Sequence, residues 1–456
     1  MKTIFQVQPT NRENRPRLSV VGLGKLGSPM VAVFADKGFQ VTGLDINPQF
    51  VAALNEGRAP VEEPGLQELL DKNRERISAT TDFADLVRHT DVTFVIVPTP
   101  SGSDACFTNK FVVDAVTKIG VALRAKKEYH LVVVTSTVMP GSTDGEIRDA
   151  LEAASGRQVG EELGLCYNPE FIALGSVIRD MLYPDMILIG ESDKKAGDIL
   201  ETIYTASTLS KPEIHRMNCV NAELTKISVN TYVTTKISYA NMISEMCDHL
   251  PNADANVVSS AIGADSRIGK KYIKSAVGYG GPCFPRDNKA FAALGRRLGV
   301  RCDLAEATDR INDHQLVRMS DVVDAHLPEN GCVAILGLSY KPMTPVVEAS
   351  QGLMLAELLA DAGRKVVAFD PIAAENAKSK LGSKVTFAST TQEAIDQADV
   401  VVVMTPSPEY ASLKPESFST HGRVRVGVKA SLSTYIVPGR SRLERDTVTQ
   451  RQVRAA

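Results

Sequence analysis

Leu18-Ser19-Val20-Val21-Gly22-Leu23-Gly24-Lys25-Leu26-Gly27 opens a stretch that continues through an apolar segment to Lys37-Gly38. It then runs through Phe39-Gln40-Val41-Thr42-Gly43-Leu44 to Asp45. Four residues suited to a buried strand enter a turn with three glycines. A helical segment follows and stops at a glycine, and a second strand ends in an acid. This is the order of a βαβ unit that cradles a dinucleotide. The glycines permit a tight turn and close approach of a pyrophosphate, and the helix N-terminus offers it the positive end of its dipole. A carboxylate at the end of the second strand accepts from ribose hydroxyls and repels a 2′-phosphate, so Asp45 points to NAD rather than NADP. The cofactor-binding candidates here are Gly22, Gly24, Leu26, Gly27 and Asp45.

Outward from this unit the same pattern continues. Val92 to Val97 reads as a strand ending in Pro98-Thr99-Pro100, and Leu131 to Val134 as one ending in Thr135-Ser136-Thr137. Ligands of open α/β sheets sit at the strands' C-terminal ends, so Thr99 and Thr137 should border the cofactor. A weak repeat lies further on. Val333 to Leu338 echoes the first strand and turn, Asp361 to Asp370 echoes Asp36 to Asp45 at identical spacing, and Asp399 to Pro406 echoes Asp91 to Pro98. The second turn, Ser339-Tyr340-Lys341-Pro342, lacks the third glycine, which implies a different phosphate ligand. Between the repeats, His215 to Leu250 has few breakers and reads as one long helix, a natural spine and dimer interface. The expected fold class is α/β, with two doubly wound Rossmann-like domains joined by a long central helix. The expected division is an N-terminal extension (1–17), an NAD-binding domain (18–210) and a central helical dimerisation and catalytic domain (211–325). A C-terminal Rossmann-like domain (326–438) and a polar, disordered tail (439–456) complete it.

Composition narrows the function classes. A chain of 456 residues with net charge −3 and interspersed charges has no electrostatic footprint for nucleic acid. Its seven cysteines show neither metal-ligand spacing nor a disulfide framework, so no metal site is expected. Met1 to Arg17 lacks the apolar core of a signal peptide, and no uncharged apolar run reaches membrane-spanning length. These features describe a soluble, cytoplasmic protein without membrane partners.

The second informative stretch is Gly278-Tyr279-Gly280-Gly281-Pro282-Cys283-Phe284-Pro285-Arg286-Asp287. Glycines and a proline ahead of a cysteine make a turn that a ligand can approach closely. Arg286 and Asp287 can favour the thiolate and handle protons. A thiol in a chain that also binds a hydride acceptor suggests aldehyde oxidation through a thioester.

With these residues the chain resembles the UDP-glucose/GDP-mannose dehydrogenase family over about Leu18 to Tyr435. The resemblance rests on Val61-Glu62-Glu63-Pro64-Gly65-Leu66, Val97-Pro98-Thr99-Pro100, Ser136-Thr137-Val138 and Tyr167-Asn168-Pro169-Glu170-Phe171. It extends to Glu223-Leu224-Thr225-Lys226 with Asn230, Asp265-Ser266-Arg267-Ile268-Gly269 and the Cys283 stretch itself. The Cys-Phe-Pro-basic-Asp form is most similar to the branch that acts on UDP-glucose. The resemblance implies two successive NAD-dependent oxidations of a UDP-sugar at C6, with Cys283 as nucleophile. Lys226 and Asn230, spaced i, i+4, would stabilise the oxyanion. Asp287 would activate water, Glu170 would serve as the base for thioester hydrolysis, and Thr137 would position the water. Arg286 is a further candidate for the cofactor phosphates. The implied substrate contacts are Glu170, Phe171, Leu174, Lys226, Asn230, Arg267, Lys274, Tyr279, Gly280, Lys341 and Lys429. Lys274 and Lys341 would meet the diphosphate, and Arg267 would reach a neighbouring subunit's sugar. A homodimer or higher homo-oligomer is implied.

Three positions depart from the family pattern. Leu174 stands where a glutamate is usual, Glu348 where a cofactor-facing arginine is usual, and Lys429 in place of an arginine that binds in two-pronged fashion. They leave open a UDP-N-acetylhexosamine or another nucleotide sugar as the substrate. A nucleotide-binding sensor without turnover is the alternative of another class.

Overall fold

A computed structural model describes residues 15–413 and 426–429. The expected tail and most of the N-terminal extension lie outside the described residues. Contacts divide the chain into two compact units, Met1–Ser228 and Val229–Ala456.

The first unit is built on an eight-stranded sheet. Its strands are β1 (Leu18–Val21), β2 (Val41–Leu44), β3 (Ile77–Thr80), β4 (Val92–Val95), β5 (His130–Val134), β6 (Leu163–Tyr167), β7 (Met186–Glu191) and β8 (Glu213–Met217). Their spatial order is β3-β2-β1-β4-β5-β6-β7-β8. Neighbours pair in parallel except β6 and β7, where Tyr167 faces Gly190 in antiparallel register. Strands β1, β4 and β5 are buried along their whole length, and their polar residues Ser19, Thr93 and His130 satisfy one another by hydrogen bonds inside. Phe34, on the helix Gly27–Asp36, packs its ring 5.1 Å from that of Phe94 on β4 and fixes that helix to the sheet.

The second unit holds a five-stranded parallel sheet. Its strands are β9 (Cys332–Leu336), β10 (Lys365–Phe369), β11 (Thr386–Phe387), β12 (Val400–Val403) and β13 (Val426–Lys429). The order β11-β10-β9-β12-β13 repeats that of β3-β2-β1-β4-β5, so the weak sequence repeat is a repeat of topology. Helices Cys219–His249, Phe284–Leu298 and Asp303–His326 precede this sheet in the chain.

The long central helix forms, but it begins at Cys219. His215–Met217, expected as its first residues, belong to β8 and pair with Leu188–Gly190. Arg216 there binds Glu191, Asp198 and Glu201, a charge set that suits an edge strand and ends the helical reading. The division into units falls within this helix, so Cys219–Ser228 count with the first unit and Val229–His249 with the second. Among the described residues, no helix is long and apolar enough to cross a membrane, and no cluster of His, Cys, Asp or Glu could hold a metal ion.

Candidate active site

In the first unit the glycine turn joins β1 to its helix, and each glycine has its own reason. Gly22 has φ +103°, and a Cβ there would lie 2.3 Å from the Ile96 carbonyl. A Cβ at Gly27 would lie 1.7 Å from the Gly22 carbonyl. These two glycines serve the turn and the helix packing. A Cβ at Gly24 would meet nothing within 4 Å, so the turn leaves room there for a ligand's pyrophosphate. The helix starting at Gly27 has no side-chain cap, and the positive end of its dipole lies at the turn. Asp45 ties the turn from below, its Oδ2 accepting from Leu23 N at 2.7 Å and its Oδ1 from Asn47 N at 2.8 Å. The residues present therefore fit a dinucleotide, and Asp45 staples the turn that would hold it.

The strand ends expected to border the cofactor do come together. Thr99 Oγ1 donates to the Thr137 carbonyl at 2.7 Å, and Ser136 Oγ donates to Val97 O at 2.7 Å. Beyond β6, Glu170 Oε2 accepts from Ile172 N at 2.7 Å, while its carbonyl accepts from Lys226 Nζ. Lys226 is 4% exposed, and its ammonium also sits 4.6 Å from the centre of the Phe171 ring. Leu174 packs against the apolar core of this unit rather than presenting a charge. One turn before Lys226, Glu223 is fully buried and accepts from Gly141 N at 2.6 Å and Thr143 N at 2.7 Å. Burial raises its pKa, and the amides oppose that rise. It pins the segment after Thr137 to the helix that carries Lys226. Its place in Glu-x-x-Lys was visible in the sequence, but nothing there named its partners.

In the second unit, Cys283 is exposed and occupies the N-cap position of helix Phe284–Leu298. The dipole of that helix favours negative charge at its N-terminus. Asp287 lies in the helix's first turn with its side chain 1% exposed. It accepts from Asn230 Nδ2 at 2.6 Å on one oxygen and from Arg286 Nε at 3.3 Å on the other. Thiol, carboxylate and amide donor are thus brought together by one helix start and one turn of the central helix. Arg286, expected at the cofactor, leans on Asp287.

The expected substrate contacts are placed unevenly. Lys274 is exposed, and Arg267 is exposed and paired with Asp265 at 2.6 Å. Tyr279 is 4% exposed and its hydroxyl donates to Asp309, so its ring belongs to the packing. Gly280 fits against Ala349, whose carbonyl would be 2.1 Å from an added Cβ. Lys341 Nζ lies 5.9 Å from the Tyr340 ring centre. Glu348 is exposed, and its carbonyl accepts from Gly281 N at 3.0 Å. Lys429 lies in β13, where the backbone alone is described.

The second glycine turn corrects the sequence reading. Its third glycine is present as Gly352, fifteen residues after Gly337 instead of the five that separate Gly22 from Gly27. A Cβ at Gly352 would lie 2.1 Å from the Gly337 carbonyl, as Gly27 does to Gly22. Gly337 has φ +97°, and Asp370 Oδ2 accepts from Leu338 N at 2.8 Å, as Asp45 does from Leu23. A strap of residues inserted between the glycines hid the match.

The comparisons agree with this geometry. Models of the UDP-glucose/GDP-mannose dehydrogenase family match its NAD binding domain at residues 16–208, its central domain at 220–314 and its UDP binding domain at 334–430. The chain belongs to this family. It is a nucleotide-sugar dehydrogenase with NAD as cofactor. The UDP-glucose 6-dehydrogenase AglM of Haloferax volcanii is 36% identical over 411 residues, covering 89% of this chain and 95% of that protein. The GDP-mannose 6-dehydrogenase of Pseudomonas aeruginosa is 33% identical over 358 residues, covering 78% of this chain and 81% of its own length. A solved UDP-glucose dehydrogenase from Pyrobaculum islandicum superposes with a TM-score of 0.85 at 34% identity, covering 94% of this chain and 96% of that one.

Proposed function

We propose that this enzyme oxidises UDP-glucose to UDP-glucuronate through a thioester on Cys283. The carrying observation is Cys283 at a helix N-terminus, with Asp287 buried one turn on and held by Asn230. UDP-glucose is favoured because AglM, 36% identical, and the Pyrobaculum islandicum enzyme, 34% identical with a TM-score of 0.85, bear that name.

Residues Gly22, Gly24, Gly27 and Asp45, with Leu26, Thr99 and Thr137, would hold NAD. Bound there, it would supply a hydride acceptor for each of the two oxidations, so each sugar would yield two NADH. The chain's own residues do the rest. The Cys283 thiolate adds to the aldehyde carbon and the carbonyl oxygen takes a proton, giving the thiohemiacetal. Lys226 and Asn230 stabilise charge on that oxygen. After the second oxidation, water adds to the thioester carbon and the Cys283 thiolate leaves. Asp287 and Glu170 take the protons that water gives up, and Thr137 orients it. Lys274, Lys341 and Lys429 serve the diphosphate and sugar, with Phe171, Leu174, Tyr279 and Gly280 shaping the pocket.

A homodimer suits the central helix, where Tyr232, Tyr239 and Met246 recur every seven residues and are 62%, 44% and 52% exposed. A second copy of the same helix is the partner that such a stripe fits, with Arg267 reaching the neighbouring sugar. The seven cysteines are free thiols, which fits the cytoplasm. The functional division is kept at 18–210, 211–325 and 326–438. A panel of UDP-glucose, UDP-N-acetylhexosamines and GDP-mannose with NAD, followed by absorbance of the reduced cofactor, tests the assignment. UDP-glucose should give the highest kcat/KM and two NADH per sugar. One NADH with a released aldehyde would refute the thioester, and a higher kcat/KM for another sugar would refute the substrate.

A further inference from the structure

The loop that carries Cys283 is pressed against the strap of the second glycine turn and the helix Asp303–His326, all within the second unit. Asn312, on that helix, brackets one residue of the loop. Its Oδ1 accepts from Tyr279 N at 2.7 Å and its Nδ2 donates to Tyr279 O at 3.1 Å. Gln351 Nε2 donates to the same carbonyl at 3.3 Å. Two residues on, Gly281 N donates to the Glu348 carbonyl at 3.0 Å. The glycines record how close the fit is. A Cβ at Gly278 would lie 2.5 Å from Asn312 Oδ1, and one at Gly281 2.4 Å from the Tyr340 ring. Burial, and after it the charge of Cys283, pushes the Tyr340 phenol upward.

Two features of this contact go against stability. Met343 and Ala349 in the strap have φ +61° and +46°, left-handed values that non-glycine residues adopt at a cost. Gln351 is 7% exposed, and its Oε1 has no hydrogen-bond partner. A buried acceptor left unpaired is unfavourable, and a leucine there would remove it. What the glutamine supplies in return is its bond to the nucleophile's loop.

We propose that Asn312 and Gln351 are positioning residues for Cys283. They hold the loop through the Tyr279 backbone and so set where the thiol stands, with the UDP-binding domain's own turn as the mount. The proposal rests on Cys283 being the nucleophile, and its test separates the two.

Gln351→Leu is the main variant, with Asn312→Asp beside it, which keeps the shape but presents an acceptor to Tyr279 O. Each is measured in the full-length enzyme for thermal midpoint and for kcat and KM with the UDP-sugar and NAD. Each is also measured with the aldehyde intermediate as substrate. Gln351→Leu should melt at or above the wild-type temperature and keep both KM values within about twofold. Its kcat should fall roughly 10- to 100-fold on the aldehyde, the scale of ångström-level misplacement of a reacting group. Activity that falls only in step with a lowered thermal midpoint shows a structural role and overturns the proposal. Wild-type kcat in both variants, with Cys283→Ser inactive, overturns the positioning role while leaving the nucleophile. An active Cys283→Ser removes the nucleophile and the proposal with it. If Asn312→Asp does not fold, Gln351→Leu decides alone.

Discussion

Alanine at Gly24 and at Gly27 should have opposite effects, although the two glycines stand three residues apart in one motif. At Gly27 the new Cβ would start 1.7 Å from the Gly22 carbonyl oxygen, and contacts under 3.0 Å are essentially never seen. The helix and the turn must therefore separate by at least 1.3 Å, and both sides are backbone, so neither can swing away. Overpacking of this kind costs about 3 kcal/mol or more, a large share of the roughly 5–15 kcal/mol that holds a domain folded. For a unit of this size that lowers the thermal midpoint by about 6–12 °C without any ligand present. At Gly24 the same methyl meets no protein atom within 4 Å, and the residue is outside the left-handed region. The free enzyme should be unchanged or stabilised by about 0.4–1 kcal/mol, because alanine has fewer unfolded conformations. The methyl then takes space that the pyrophosphate needs. A penalty of about 1–3 kcal/mol corresponds to roughly 5- to 150-fold weaker NAD binding. The chain has no tryptophan, so titration calorimetry is the suitable binding assay, with scanning calorimetry for stability. A destabilised Gly24→Ala that binds NAD like wild type would refute the assignment of roles.

The remaining predictions concern single side chains. Cys283→Ser should bind NAD normally yet halt after the first oxidation or nearly stop, since serine forms the less ready nucleophile and the poorer leaving group; wild-type turnover would exclude the thioester. Asp45→Ala should weaken NAD binding by about 1–3 kcal/mol by titration and also lower the thermal midpoint, because the carboxylate holds Leu23 N and Asn47 N as well. An effect on NAD alone would show that the staple is energetically idle. His130 is fully buried between Thr93 and Lys126, and burial, with Lys126 second, pushes its pKa from 6.5 down to about 3. The unfolded chain therefore takes up a proton that the folded chain refuses. Stability should fall by about 1.4 kcal/mol per pH unit as pH drops from 6.5 toward 3. His130→Gln should have a flatter urea-denaturation profile over that range, and an unchanged slope would assign the acid loss to carboxylates. Glu348→Arg should change NAD affinity little, because Glu348 is exposed and solvent screens its charge; a large tightening would place it against the bound phosphates.

The sequence by itself determined the features that depend on neighbours along the chain. Gly22, Gly27 and Asp45 announce a dinucleotide turn because strand, turn, helix and acid follow one another within a single βαβ unit, and the first unit folds accordingly. Cys283 and Asp287 were legible because one helix start carries both. Asn230 could be paired with Lys226 from helical spacing, whereas its bond to Asp287 depends on two helices far apart in sequence. Only the tertiary structure decided such matters. His215–Met217 had no breaker to end a helical reading, and it is a strand because β7 offers it a free edge. Gly352 was invisible as the third glycine because a strap separates it from Gly337, and a steric contact with the Gly337 carbonyl, not spacing, defines the role. Asn312 and Gln351 carry no signal in a single sequence, since an amide on a helix reads as a solvated face, and the motif that holds Glu223 names none of its partners. Each gains its meaning from a backbone peptide that folding brings to it, because a buried polar group must find its partner wherever the chain places one.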